Sequence, residues 1–298
     1  MSMSTDIALR ASQAAVAGRR LREITQREFQ QLTTLIHEVA GISLHDSKRA
    51  LVVRRLGGRI LELGLESFGD YHDLVRQDTS GDEMVRLLDL IATNETHFFR
   101  EPAHFELLES RVFPAWHSEA AAGRRSRKIR IWSAACSTGQ EPYSLAMQLL
   151  THCPETDGWT VELLATDIST HALRLAQAAT WPSDKAQEIP ERYLKRYMLR
   201  GVGDHIGRMR AGEEVRRAVC FGRMNLNDET YPISGQFDLI FCRNVLIYFS
   251  AERRAAVIER LTDRLAPGGL LFVGHAESLH AHRARLTPIA PTVYARAA

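Results

Sequence analysis

The chain predicts an α/β fold: a doubly wound, mostly parallel sheet preceded by a small all-α domain and interrupted by a small antiparallel β insertion. Three observations carry this. Helical periodicity marks the first ninety residues, and no strand pattern appears before residue 125. Short apolar runs then alternate with amphipathic stretches, the rhythm of strand–helix–strand units. Between residues 190 and 225 that rhythm gives way to short polar segments punctuated by Gly201, Gly203, Gly207 and Gly212, a pattern of small strands joined by turns. The boundaries that follow are a flexible tail over 1–22, a helical domain over 23–92 and an α/β domain over 93–298, with the insertion at about 190–224.

The elements follow in order. The tail is rich in Ala, Ser and Arg and has no periodicity. Thr25 and Glu28 form a capping-box signature, after which Phe29, Leu32, Ile36 and Val39 repeat at helical steps until Gly41. Further helices are expected over 47–63 and 68–77, and a fourth carries Met84, Leu87, Leu88 and Ile91 on one stripe. Strands are expected over 129–134, 161–165, 237–242 and 269–273, with helices over 141–150, 170–179 and 253–265 between them.

Composition excludes several classes. The chain has 298 residues, 45% hydrophobic and 25% charged, the balance of a globular protein. No apolar run is long enough to span a bilayer, and the N-terminus lacks the pattern of a secretory signal. Four cysteines without a C-x-x-C pair point to a reduced, cytoplasmic protein. With 38 basic and 36 acidic residues, there is no overall basic excess for nucleic acid. The 12 histidines show no H-x-x-x-H spacing, so no metal is expected. His97 is read as a packing residue, and Phe98, Phe99, Phe105, Met209 and Met224 as core.

In such sheets ligands sit beyond the carboxyl ends of the strands. Residues 133–140 (Ser-Ala-Ala-Cys-Ser-Thr-Gly-Gln) are small up to Gly139, so a ligand can approach the backbone. The segment has neither the G-x-G-x-x-G fingerprint nor a phosphate-loop lysine. A phosphate-free ligand with a nucleoside and a carboxylate suits it better than a dinucleotide. Asp167 ends the second strand and reads either as a binder of ribose hydroxyls or, with Ser169, as a helix cap. Asn225, Asn227 and Asn244 add amides at the next strand ends. Together these four loops favour a nucleoside-type ligand.

At these residues the chain resembles the CheR family of chemotaxis receptor methyltransferases. The matching segments are Thr93-Asn94-Glu95-Thr96-His97-Phe98-Phe99-Arg100, Cys136 to Ser144, Ala165-Thr166-Asp167-Ile168-Ser169, Asn225-Leu226, and Phe241 to Phe249. The resemblance implies a Rossmann-like class I methyltransferase that uses S-adenosylmethionine, yields S-adenosylhomocysteine, and methylates glutamate side chains of membrane chemoreceptors. It implies that Asn94, Thr96 and Arg100 close over the methionine end of the cofactor, that Glu141 takes its amino group and Asp167 its ribose, and that Asn225, Leu226, Arg243, Asn244 and Val245 line the rest. Gln140 stands where many relatives carry a second acid.

Methyl transfer to a carboxylate needs no general base, because a glutamate with a pKa near ~4.3 is already ionised at neutral pH. Arg100 is the expected catalytic residue, since a guanidinium can grip a carboxylate of cofactor or acceptor. Tyr248 is expected either to position the acceptor or to be a buried aromatic on a strand-to-helix turn. Arg54, Arg55 and Arg59 offer a basic helix face to the acidic bundle of a receptor, or are a solvated helix face. The 201–207 segment resembles the part of the family that tethers a receptor's C-terminal pentapeptide. A monomer is expected. Two alternatives remain: a methyltransferase acting on RNA or a small molecule, and a catalytically silent receptor-binding module.

Overall fold

The computed structural model describes residues 21–279 and 285–297. Residues 1–20 of the expected tail lie outside the described residues; Arg22, at its end, donates its backbone N–H to the Glu66 carbonyl at 3.0 Å. The chain divides into two compact units, 1–93 and 94–298.

The first unit holds helices α1 (Gln26–Ala40), α2 (Arg49–Glu62), α3 (Phe68–Gln77) and α4 (Asp82–Ile91). The capping box forms: Glu28 N donates to Thr25 Oγ1 at 3.2 Å, and Thr25 N to Glu28 Oε2 at 2.8 Å. Gly41 ends α1 at φ 72°, a left-handed conformation that glycine adopts without a Cβ clash. Phe29, Leu32, Ile36, Val52, Leu56, Ile60, Tyr71 and Leu87 form the core.

The expected basic docking face is largely spent inside this unit. Arg59 grips Glu83 twice, Nε to Oε1 at 3.0 Å and Nη2 to Oε2 at 2.6 Å, and reaches Glu62 at 2.9 Å. Arg55 donates to the Ile91 and Ala92 carbonyls and to Thr93 Oγ1. Arg54, by contrast, is exposed. Reversing the charges of Arg55 and Arg59 therefore disturbs folding before docking. The Arg59 hydrogen bond, opposed by burial, holds the Glu83 carboxyl below its ordinary value of 4.5. Arg59→Ala is expected to lower the unit's stability at pH 7 by about 1.5–3 kcal/mol, the worth of hydrogen bonds to a charged group. Because the folded pKa is depressed, this contribution is present above pH 4.5 and fades as Glu83 takes up its proton below that. Urea unfolding of wild type and variant at neutral and acid pH checks both points.

The second unit begins with a helical stretch that the sequence reading passed over: α5 (Pro102–Leu107), a π-turn (Leu108–Val112) and α6 (Phe113–Ala121). There follow β1 (Lys128–Ala134), α7 (Gln140–His152), β2 (Thr160–Asp167), α8 (Thr170–Ala178), β3 (Thr180–Pro182), α9 (Glu191–Tyr197), β4 (Met198–Arg200), β5 (Arg208–Ala211), α10 (Glu213–Arg217), β6 (Val219–Arg223), β7 (Phe237–Cys242), α11 (Ala251–Arg264), β8 (Leu265–Val273), β9 (Leu286–Ala290) and β10 (Val293–Arg296).

Among the described residues these strands form a seven-stranded sheet, ordered β6-β2-β1-β7-β8-β10-β9. β6 through β8 are parallel, and β10 and β9 close the sheet antiparallel. Both faces are covered, so the parallel strands are apolar on both sides. Ile129, Ile131, Leu163, Leu239, Phe241 and Phe272 face one core with Leu145 and Leu149 of α7. Trp132, Ala134, Ile240, Cys242, Leu271 and Val273 face the other with Val257 and Leu261 of α11.

The small antiparallel sheet, β3-β5-β4, is present, with bounds that differ from the expectation. It starts at Thr180 and ends at Ala211, whereas Val219–Arg223 (β6) pairs with β2 in the main sheet. The glycine punctuation extends one residue past the end of the small sheet, to Gly212. No helix among the described residues is long and apolar enough to cross a membrane.

Candidate active site

Chain order runs outward from β1 to β2 and β6 on one side and to β7 and β8 on the other, so the sheet reverses direction of growth between β1 and β7. The loops that leave the carboxyl ends of these strands meet there. Five non-glycine residues in or beside them hold left-handed backbone: Phe99 (φ 49°), Glu101 (58°), Ala135 (66°), Ser137 (50°) and Asn244 (58°). Such conformations cost on the order of 1–3 kcal/mol each and persist where surrounding contacts enforce them.

The contacts are visible. Cys136 N donates to the Thr166 carbonyl at 2.9 Å, tying the β1 loop to β2. Ser137 N donates to Asp167 Oδ2 at 2.8 Å, and Ser137 Oγ to the Asn94 carbonyl at 3.0 Å. Asp167 Oδ1 accepts from Ser169 N at 2.9 Å, and Ser169 Oγ caps α8 through Ala172 N at 3.1 Å. The capping role therefore falls to Ser169, while Asp167 braces the loops and lies almost fully buried. Met224 N donates to the Asp167 carbonyl at 3.0 Å and sets Asn225 and Leu226 beside it. Asn225 Oδ1 accepts from Asn227 N at 3.0 Å.

A second cluster is electrostatic. Arg243, at the end of β7, is buried between two carboxylates: Glu101 at 3.0 Å and Glu141 at 3.3 Å. It also donates to the Arg100 carbonyl. Glu141 Oε1 accepts from Ser133 Oγ at 2.7 Å. Burial pushes the Glu141 carboxyl above its usual range, against the pull of Arg243. Burial also acts on Glu101, yet Arg243 and hydrogen bonds from His275 and Asn244 outweigh it and leave that carboxyl low. Arg100 itself is half-buried, with Nη1 3.2 Å from the Glu95 carbonyl.

A third anchor is Glu277, after β8. Its buried carboxylate accepts from Gly274 N at 2.6 Å, Asn244 N at 2.8 Å and Ile247 N at 3.2 Å. It thereby holds Asn244 in its left-handed turn and fixes the start of the 3₁₀ turn Leu246–Tyr248. Gly274 is required: a Cβ there would stand 2.8 Å from Glu277 Oε2 and 2.9 Å from Asn244 N. Cys136 is buried in the first loop, and burial, then Asp167 and Glu141, push its thiol well above the ordinary value.

The structure thus joins Asn94, Asp167 and the Asn225–Leu226 segment in one hydrogen-bonded group, and Arg100, Glu141, Arg243 and Asn244 in another. Thr96, Val245 and Tyr248 are half-buried beside them in sequence, Tyr248 on the 3₁₀ turn between β7 and α11. His97 is exposed rather than packed. Sequence reasoning placed Ser133 in the first ligand loop without its bond to Glu141, and missed Glu101 and Glu277. Glu101 adjoins the 93–100 segment, and Glu277 lies at the end of the fifth parallel strand, where the strand-end rule already pointed.

Residues 94–295 match the family described as CheR methyltransferase, SAM binding domain, and residues 27–92 match CheR methyltransferase, all-alpha domain. The chain is 38% identical over 273 residues to the chemotaxis protein methyltransferase of Escherichia coli K12, covering 91% of each. It is 38% identical over 274 residues to chemotaxis protein methyltransferase 2 of Pseudomonas aeruginosa, covering 92% of this chain and 94% of that one. It is 34% identical over 272 residues to the chemotaxis protein methyltransferase of Borreliella burgdorferi, covering 91% and 94%.

Proposed function

The chain belongs to the CheR methyltransferase family, and from that premise we propose that it methylates glutamate side-chain carboxylates of membrane chemoreceptors. S-adenosylmethionine-dependent methylation in chemotaxis holds for the chain as a family member.

One observation carries it: two carboxylates of different character, Asp167 and Glu141, stand at the ends of adjacent strand–loop units, with Arg243 between Glu141 and Glu101. This donor set fits S-adenosylmethionine. Asp167, a buried carboxylate at the end of β2, is the acceptor placed to meet a ribose diol. Glu141, pushed up by burial, gains from a second cation, which an amino acid's ammonium group provides. The small side chains of residues 133–139 leave room for a ligand to approach the backbone. When bound, the sulfonium supplies an electrophilic methyl group. The chain's residues orient the partners and exclude water, and such orientation contributes roughly 7–11 kcal/mol. Arg100 grips a carboxylate of cofactor or acceptor, Tyr248 borders the acceptor, and the transfer uses no general base and no metal.

For partners, the reading is the helical bundle of a chemoreceptor, met in the cytoplasm by a monomer that binds no nucleic acid. Arg54 is the docking arginine whose side chain is exposed. The edge strand β4 suits tethering of a receptor's C-terminal pentapeptide by strand addition. Its neighbourhood exposes Leu199, Val202 and Ile206, and Gly201 admits no side chain, since a Cβ would stand 2.0 Å from the His205 carbonyl oxygen.

The test incubates the full chain with S-adenosylmethionine and candidate receptors, with and without their C-terminal tails, followed by mass spectrometry. Base-labile methyl groups on receptor glutamates are expected, formed more slowly on tailless receptors and absent with a folded Asp167→Ala variant. Labelled RNA methylated in place of the receptors would overturn the glutamate reading.

A further inference from the structure

The sequence shows no metal-ligand spacing, yet folding brings Glu101, His104 and His275 together. Thr292 Oγ1 donates to the Pro291 carbonyl at 2.7 Å, so toward His104 Nε2, 2.8 Å away, it is the acceptor. That arrangement suits the Nε2–H tautomer, in which Nδ1 carries a lone pair. The His104 ring is 1% exposed, wedged edge-on against Phe272, and its Nδ1 has no hydrogen-bond partner among the described residues. Nδ1 instead faces Glu101 Oε2, an acceptor, at 3.5 Å. His275 Nε2 stands 4.0 Å from the same oxygen, and the ligand atoms of the three residues lie within 4.8 Å of one another.

We propose that Glu101, His104 and His275 form a binding site for a divalent transition-metal ion. Ligands about 2.1 Å from a tetrahedral zinc ion stand about 3.4 Å apart, which the Glu101–His104 pair already matches. His275, with its side chain 61% exposed, is free to turn inward by the remaining distance. Two imidazoles and a carboxylate favour zinc, cobalt or nickel over magnesium or calcium, and three protein ligands leave a fourth position for water.

The opposing effect is Arg243, whose guanidinium is 3.0 Å from the same Glu101 oxygen. Arg243 keeps a second carboxylate in Glu141 at 3.3 Å, so an ion shares Glu101 rather than stranding the arginine. This competition sets the affinity below that of a dedicated structural zinc site. The inference is independent of the methyl-transfer reading, because its test reads the ion alone.

The full chain is titrated with Co²⁺ and its visible spectrum followed. Saturable one-to-one binding is expected, with the intense d–d bands of tetrahedral nitrogen–oxygen ligation, displaced by Zn²⁺. Affinity is expected to fall at least tenfold in His275→Ala, an exposed substitution, and also in His104→Gln. A featureless titration, a thiolate charge-transfer band, or unchanged affinity in folded His275→Ala would overturn the site.

Discussion

An Arg243→Met variant is expected to lose about 3–5 kcal/mol of stability at neutral pH, the penalty for removing one partner of a buried ion pair. Methionine fills much of the space among Phe105 and Phe241 but leaves Glu101 and Glu141 without their shared cation. The loss should depend on pH with a definite sign. Arg243 lowers both carboxyl pKa values in the wild type, so its removal raises both, Glu141 further above its ordinary range. A carboxyl with a raised folded pKa destabilises as pH rises through that value. The variant is therefore nearest to wild type in acid and falls behind on approach to pH 7. Urea unfolding across that range measures it, and a pH-independent difference would show that packing, not charge, dominates the site. S-adenosylhomocysteine binding should be lost alongside, since Asn244 and Glu141 both depend on this cluster.

The second large effect is on activity. Arg100→Ala is expected to reduce kcat/KM by about 10²–10³, the worth of one well-placed donor to a developing or fixed charge. Stability should change by no more than about 0.5 kcal/mol, because the side chain's hydrogen bond to the Glu95 carbonyl is partly exposed. The backbone carbonyl that Arg243 uses is untouched by the substitution. A rise in KM for S-adenosylmethionine assigns the guanidinium to the cofactor's carboxylate, and a fall in kcat with that KM unchanged assigns it to the acceptor. Turnover near that of wild type would remove Arg100 from the chemistry.

Much of the architecture was legible because it is written in short-range pattern. The Thr25 capping box and the apolar runs at 129–134 and 237–242 each determine their own element. What escaped depended on context. Phe105, Leu108, Val112 and Trp116 step at helical intervals, yet Pro114 among them reads as a stop. The structure places it in the first turn of α6, directly after the π-turn, where its missing N–H costs little. The strand β9 contains Pro288, which argues against a central strand; β9 sits at the sheet's edge, where proline is tolerated.

The site divides in the same way. Residues within long specific segments, such as Glu141, Asp167 and Arg243, were identifiable from the sequence. Their supports were not, because they come from far along the chain: Glu277 braces Asn244 across 33 residues, and His275 N reaches Glu101 across 174. Arg55 and Arg59 looked like a surface because sequence cannot show that Glu83 and the end of α4 receive them.

Under the proposed function, Cys136 brings a hazard to the β1 loop, since ionised sulfur is a far better alkyl acceptor than an oxygen anion. A free sulfur anion there would compete with the intended acceptor and leave the enzyme alkylated by its own reagent. Enclosed, and flanked by the negative charges of Asp167 and Glu141, the sulfur keeps its proton. Burial first, and the two carboxylates after it, thus keep a competing nucleophile silent in this loop.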